Sequence, residues 1–200
     1  MAQAVGRTLL LPPMGAVVVT VMAGFAGYLV TYLNNLRLTQ RQERLARVNR
    51  QLSEFYGPLL ALVEVNSRLY HAFSEKHPRP EGREPLSHRD EQDAWRLWIT
   101  TVFLPTHRAI RDLVNTKADL MDEADMPPLL LEVYAHAAWH ELSAAKWEAG
   151  DLTIEHPPRA FPATAIRAYA RENFARLKSE QAALLGRRLR QGRRTATRRR

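Results

Sequence analysis

The sequence predicts an all-α protein: one membrane-spanning helix near the N-terminus, a coiled-coil-like juxtamembrane helix, then a helical bundle. Three observations carry that expectation. No charged residue occurs from Thr8 to Leu36, apolar residues recur at helical spacing through most of the chain beyond Leu36, and no alternating β-branched run appears after the apolar segment.

Residues 1–13 form a short N-terminal lead, and residues 14–33 (MGAVVVTVMAGFAGYLVTYL) the expected span. Twenty residues at about 1.5 Å rise cover about 30 Å, the thickness of a bilayer's hydrocarbon core. Pro12 and Pro13 suit a first helical turn, and Tyr28 and Tyr32 suit the far interface. One arginine (Arg7) precedes the run and five follow it closely (Arg37, Arg41, Arg44, Arg47, Arg50). The positive-inside rule then puts the N-terminus outside the bacterial inner membrane and the remainder in the cytoplasm. A cleaved signal peptide is the rival reading, but Gly24-Phe25-Ala26 is a poor cleavage site and five arginines would follow at once. Ala16, Thr20 and Gly24, with Ala23 and Gly27 alongside, make small-xxx-small lines of the kind that let helices approach closely.

Residues 34–56 contain no Gly or Pro. Placing Leu38, Leu45, Leu52 and Leu59 at heptad position a puts Arg41, Val48, Phe55 and Leu62 at d. Leu38, Leu45, Val48, Leu52 and Phe55 are therefore the candidate self-association residues. The pattern alone leaves open whether this seam packs between chains or within one. Gly57-Pro58 interrupts the register and opens the bundle expected over 57–186.

Within the bundle, a helix through Leu62, Val65, Leu69 and Phe73 ends at a Pro- and charge-rich loop. Ser87 with Asp90 forms a capping box for the next helix. That helix carries Trp95, Trp98, Ile99, Val102 and Phe103 as a core stripe until Pro105 ends or kinks it. Ile110, Leu113, Val114 and Met121 mark another helix. Asp122, Glu123 and Asp125 precede Pro127-Pro128 as favourable charges for the start of the next, which is apolar around most of its circumference and stops at Gly150. Ile166, Ala170, Phe174, Leu177, Gln181 and Leu184 run down one side of the last.

Composition narrows the chemistry. The 200 residues are 46% hydrophobic and 25% charged, with a net charge of +8 and no cysteine, so there is no disulfide, thiolate metal site or cysteine nucleophile. Eight arginines (Arg187, Arg188, Arg190, Arg193, Arg194, Arg198, Arg199, Arg200) crowd the last fourteen residues, and without them 21 basic residues stand against 21 acidic ones. The basic character thus belongs to a tail, expected to be disordered over 187–200. Its partner by this reasoning is an anionic lipid surface, at about 1 kcal/mol per basic residue near the headgroups. No aromatic residue interleaves it, which weighs against nucleic acid.

Glu132, His136 and His140, at i, i+4 and i+8, are the one arrangement that resembles a metal-ligand set. The spacing matches neither HExxH nor the Glu-x-x-His pairs of bundle di-metal sites, so a polar stripe with no metal or other cofactor is expected. Phosphate-binding loops and nucleophile elbows are absent. The expected function is a membrane-anchored bacterial interaction or scaffold module that self-associates, with no catalytic activity evident in the sequence. The alternatives are a metal-dependent enzyme centred on His136 and His140, or a membrane-tethered nucleic-acid binder using the tail.

Overall fold

The computed structural model describes residues 14–78, 89–153 and 160–197, with the side chains of residues 18–78, 89–153 and 160–186. Every element in it is helical, as the periodicity predicts. In order, these are α1 (Met14–Arg50), a π-helical turn (Gln51–Tyr56), α2 (Gly57–Lys76), α3 (Arg89–Trp98), a second π-helical turn (Ile99–Phe103) and α4 (Leu104–Lys117). A short 3-10 turn (Ala118–Leu120), α5 (Pro128–Glu148) and α6 (Ala163–Thr197) complete the chain. Contacts divide it into two compact units, Met1–Arg44 and Leu45–Arg200.

In the first unit, α1 carries Val18, Val19, Val21, Met22, Phe25, Tyr28, Val30 and Tyr32, each more than half exposed. Tyr28 and Tyr32 stack on one another, and the Thr31 hydroxyl donates to the Gly27 carbonyl. Among the described residues no helix is long and apolar enough to cross a membrane. The run read as a span begins at Met14, whereas side chains are described from Val18.

The second unit holds the core. Val48, Leu52, Phe55, Tyr56, Leu59 and Val63 face Ile110 and Val114 of α4, Leu130 and Val133 of α5, and Ile166, Ala170 and Leu177 of α6. Of the five candidate seam residues, Val48, Leu52 and Phe55 are buried against their own chain; Leu45 is also buried, and Leu38 is exposed. A smaller aromatic cluster joins Phe73 to Ile99 and Phe103, with Trp95, Trp98 and Trp147 packed on it.

Neither Gly57-Pro58 nor Pro105 ends a helix. Each follows a π-helical turn that closes on the residue just before the proline: the Gly57 N–H donates to the Leu52 carbonyl, and the Leu104 N–H to the Ile99 carbonyl. A proline ring crowds the carbonyl four residues back and offers no N–H, and a widened turn absorbs both defects without breaking the helix. Glycine is required at the first site, because a Cβ on Gly57 would lie 2.4 Å from the Leu52 carbonyl oxygen. Gly57→Ala should cost about 1–3 kcal/mol, as overpacking does, and lower the melting temperature by about 2–4 °C per kcal/mol. An unchanged melting curve would show that the widened turn accommodates a methyl group.

Polar contacts tie the helices together. Gln51, fully buried, donates from Nε2 to the Leu120 carbonyl and to Asp122 Oδ1, both at 2.8 Å. Asp122 Oδ2 accepts from Arg176 of α6 at 2.6 Å. Of the acids before Pro127-Pro128, Asp122 is thus drawn into this link between helices, and no acid lies in α5's own first turn. Although α5 is apolar around most of its circumference, it is not buried on every side: Leu131 and Leu142 are more than half exposed. It does end where expected. Gly150 adopts φ +92°, with the Asp151 N–H donating to the Lys146 carbonyl and the Gly150 N–H to the Trp147 carbonyl, a Schellman closure. The apolar side of α6 is as the spacing predicts, and the Gln181 amide donates to Asn49 Oδ1 at 2.7 Å.

The stretch expected to be an irregular tail is helical through Thr197. Arginine is a good helix former, and extending an established helix needs no new nucleus. The tail side chains, the Ser87 end of the capping box and residues 1–13 lie outside the described residues.

Candidate metal centre

Three histidines converge where α4 and α5 cross beside α6. His136 and His140 stand one turn apart on the buried face of α5. His107 comes from α4, two residues past Pro105, in the same register as the core residues Ile110 and Val114. All three are buried, at 2% (His107), 9% (His136) and 5% (His140) exposure. One ligand-capable atom from each lies within 4.8 Å of the other two. Glu132, half-buried one turn earlier on α5, is not among the converging groups. The third member of the set is therefore His107, and one-helix spacing points to the wrong partner.

The rings pack as an aromatic nest. His107 stacks on Phe161 at 4.5 Å between centroids and 15°, and on His140 at 5.4 Å and 15°. His136 meets His140 edge-on at 4.4 Å. The two helices are clamped just outside the nest by the residues that follow two of these histidines. Glu141 Oε1 accepts from Arg108 Nε and Arg111 Nη1, each at 2.9 Å, and these arginines hold its carboxyl below the usual range. The Tyr134 hydroxyl adds a 2.6 Å bond to Asn115 Oδ1.

Burial keeps two of the three rings uncharged. Burial pushes His107 and His140 down to about 3, and a proton on one imidazole further disfavours a proton on its neighbours. Both rings are neutral at pH 7 and present lone pairs. Neither His107 nitrogen has a hydrogen-bond partner, nor does His140 Nδ1. A buried polar atom left in that state costs about 1–3 kcal/mol, so the arrangement is expensive unless something else uses those atoms.

A cavity of about 510 Å³ opens beside the cluster, walled by Tyr70, Trp95, Phe103 and Phe161, with Asn66 of α2 and Arg167 of α6 among its polar groups. Trp95 thus lines this cavity as well as packing in the aromatic cluster. Asn66 is buried with Oδ1 unpartnered, and Arg167 is tied by a 3.2 Å bond to the Ser67 hydroxyl. Among the described residues no carboxylate lines this space. Such a set can hold a transition metal or a small polar ligand.

The chain matches none of the family models, curated proteins or solved structures compared with it, so its own geometry has to carry the functional reading.

Proposed function

We propose that this is a single-pass protein of the bacterial plasma membrane, anchored by α1 with its N-terminus outside, whose unit Leu45–Arg200 works in the cytoplasm as an interaction module. The observation that carries this reading is the contrast between the two units. Leu45–Arg200 buries a continuous core, whereas the apolar side chains of α1 from Val18 onward stand exposed. Leaving that many apolar groups in water forfeits about 25 cal/mol per Å², and a helix apolar on every side belongs in lipid or against other helices. The arginine imbalance across the run sets the orientation.

Self-association remains part of the proposal, but its surface moves. With Val48, Leu52 and Phe55 inside the core, two apolar surfaces among the described residues are the candidates for partners. One is α1, where a Cβ on Gly24 or Gly27 would meet open space. The other is the face of α5 formed by Leu131, Ala135, Ala138 and Leu142, all exposed at i, i+4, i+7 and i+11. The basic end of α6 (Arg187 to Arg200) is assigned to anionic headgroups, within reach of a tethered domain.

Topology and association are tested together in cells. A C-terminal reporter should read as cytoplasmic, the full chain should resist carbonate extraction, and Leu131→Glu with Leu142→Glu should reduce its crosslinking without changing its helicity. Recovery of a soluble form processed near Ala26 would overturn the anchor. Undiminished crosslinking in the double variant would remove α5 from the interface.

A further inference from the structure

The geometry points to a transition-metal site formed by His107, His136 and His140, with an open coordination position on the adjoining cavity that accepts a small carboxylate-bearing molecule. Three imidazoles from two clamped helices, with a ligand-capable atom of each within 4.8 Å, form a donor set that suits zinc, iron, copper or nickel. Zinc with three protein ligands keeps its remaining position for water or substrate, the arrangement of catalytic rather than structural sites. Nitrogens about 2.0–2.1 Å from a tetrahedral ion stand about 3.3 Å apart, so loading draws the rings inward by about an ångström. His107 can make that turn without breaking a hydrogen bond, because neither of its nitrogens has one.

Two further observations set the class of ligand. The cavity volume, about 510 Å³, falls within the range of small-molecule sites. Its aromatic walls (Tyr70, Trp95, Phe103) suit an apolar body, while Arg167 and the unpartnered Asn66 Oδ1 are among the polar groups available to orient it, with His71 and Thr164 on the same wall. With a cation supplied by the metal and another by Arg167, and no carboxylate on the described wall, the complementary charge is negative. A carboxylate can engage the open metal position or the Arg167 fork while its body stacks on the aromatic wall. The site lies within residues 66–167 and does not depend on how α1 is anchored.

Cobalt(II) tests the proposal directly, because it occupies zinc sites and reports its coordination by visible absorption. The full chain, purified in detergent without a chelating tag and stripped with EDTA, should take up one equivalent of cobalt(II) with the absorption of a low-coordinate ion. His107→Phe keeps the ring stacked on Phe161 but removes the ligand, and His140→Gln does the same for α5. Each should weaken cobalt binding by more than the 10–100-fold that loss of an outer-shell partner costs, with helicity retained. Benzoate should perturb the cobalt spectrum of the wild-type chain, and Arg167→Gln should weaken that effect about tenfold without changing cobalt affinity. Failure to bind stoichiometric cobalt, or equal binding by the folded histidine variants, would overturn the metal site. Cobalt binding that benzoate leaves untouched would overturn the open position on the cavity.

Discussion

Phe55→Ala should destabilise the full chain by about 3–5 kcal/mol, and Leu52→Asp should prevent the helical domain from folding. Phe55 is completely buried and meets Tyr56 edge-to-face at 4.8 Å between centroids. Truncating such a ring removes its transfer free energy and leaves a cavity. Against a typical total of about 5–15 kcal/mol, that is a large fraction of the stability. At Leu52 a carboxylate would be placed among apolar side chains of the core with no cation assigned to it. Leu38→Asp is the internal control: Leu38 shares the heptad seam but is 43% exposed, so its replacement should move stability by less than about 0.5 kcal/mol. Thermal melts followed by circular dichroism, alongside crosslinking in membranes, distinguish the two roles of the seam. A Leu52→Asp chain that folds normally and merely stops crosslinking would return Val48, Leu52 and Phe55 to an interface between copies.

The two roles are hard to tell apart in sequence for a physical reason. A period of seven marks a helix that buries one stripe, and the stripe is the same whether the partner is a second copy or the next helix of the same chain. Helix identity is legible for that reason, and chain identity is not. The prolines mislead on a different ground. Gly57-Pro58 and Pro105 forbid a regular α-helical bond, which sequence reasoning treats as a stop, whereas a π-turn ending on Gly57 and on Leu104 lets the helix continue. On α5 the composition hides the exposed face. Leu131, Ala135, Ala138 and Leu142 are as apolar as the buried face, so hydrophobicity alone does not say which side meets water.

The site is legible in part. His136 and His140 declare themselves by one-turn spacing, but any third ligand has to come from another helix, and bundle sites are assembled across elements whose neighbours a sequence does not name. His107 does leave a signal. It stands three and seven residues before Ile110 and Val114, on the register that those residues mark as core, and a histidine on a core register needs a reason. Glu141 accepts from Arg108 and Arg111 and holds α4 to α5 beside the nest, a role that its position after His140 does not announce.

The metal-free chain should lose about 4 kcal/mol of stability between pH 7 and pH 5. His107 and His140 ionise near 6.5 when unfolded but are held down to about 3 when folded, so over this window the unfolded state binds protons that the native state refuses. Stability therefore rises with pH through this range: it is fully present above about 6.5 and lost progressively as the pH falls toward 3. At pH 5, about 1.5 units below the unfolded value, each histidine accounts for about 2 kcal/mol at 1.36 kcal/mol per unit. The figure depends on the native rings staying neutral at pH 5 and not on how far below 5 they titrate. Carboxylates do not mask the effect, because Glu54 and Glu141, both held low by cationic partners, give up their contribution only below about pH 4.5. Melts of EDTA-treated full chain in detergent should thus shift down by about 8–16 °C from pH 7 to pH 5. His107→Phe removes one of the two groups and should halve that shift. If the variant keeps the whole pH dependence, His107 is not a neutral buried base, and the acid sensitivity belongs to other groups.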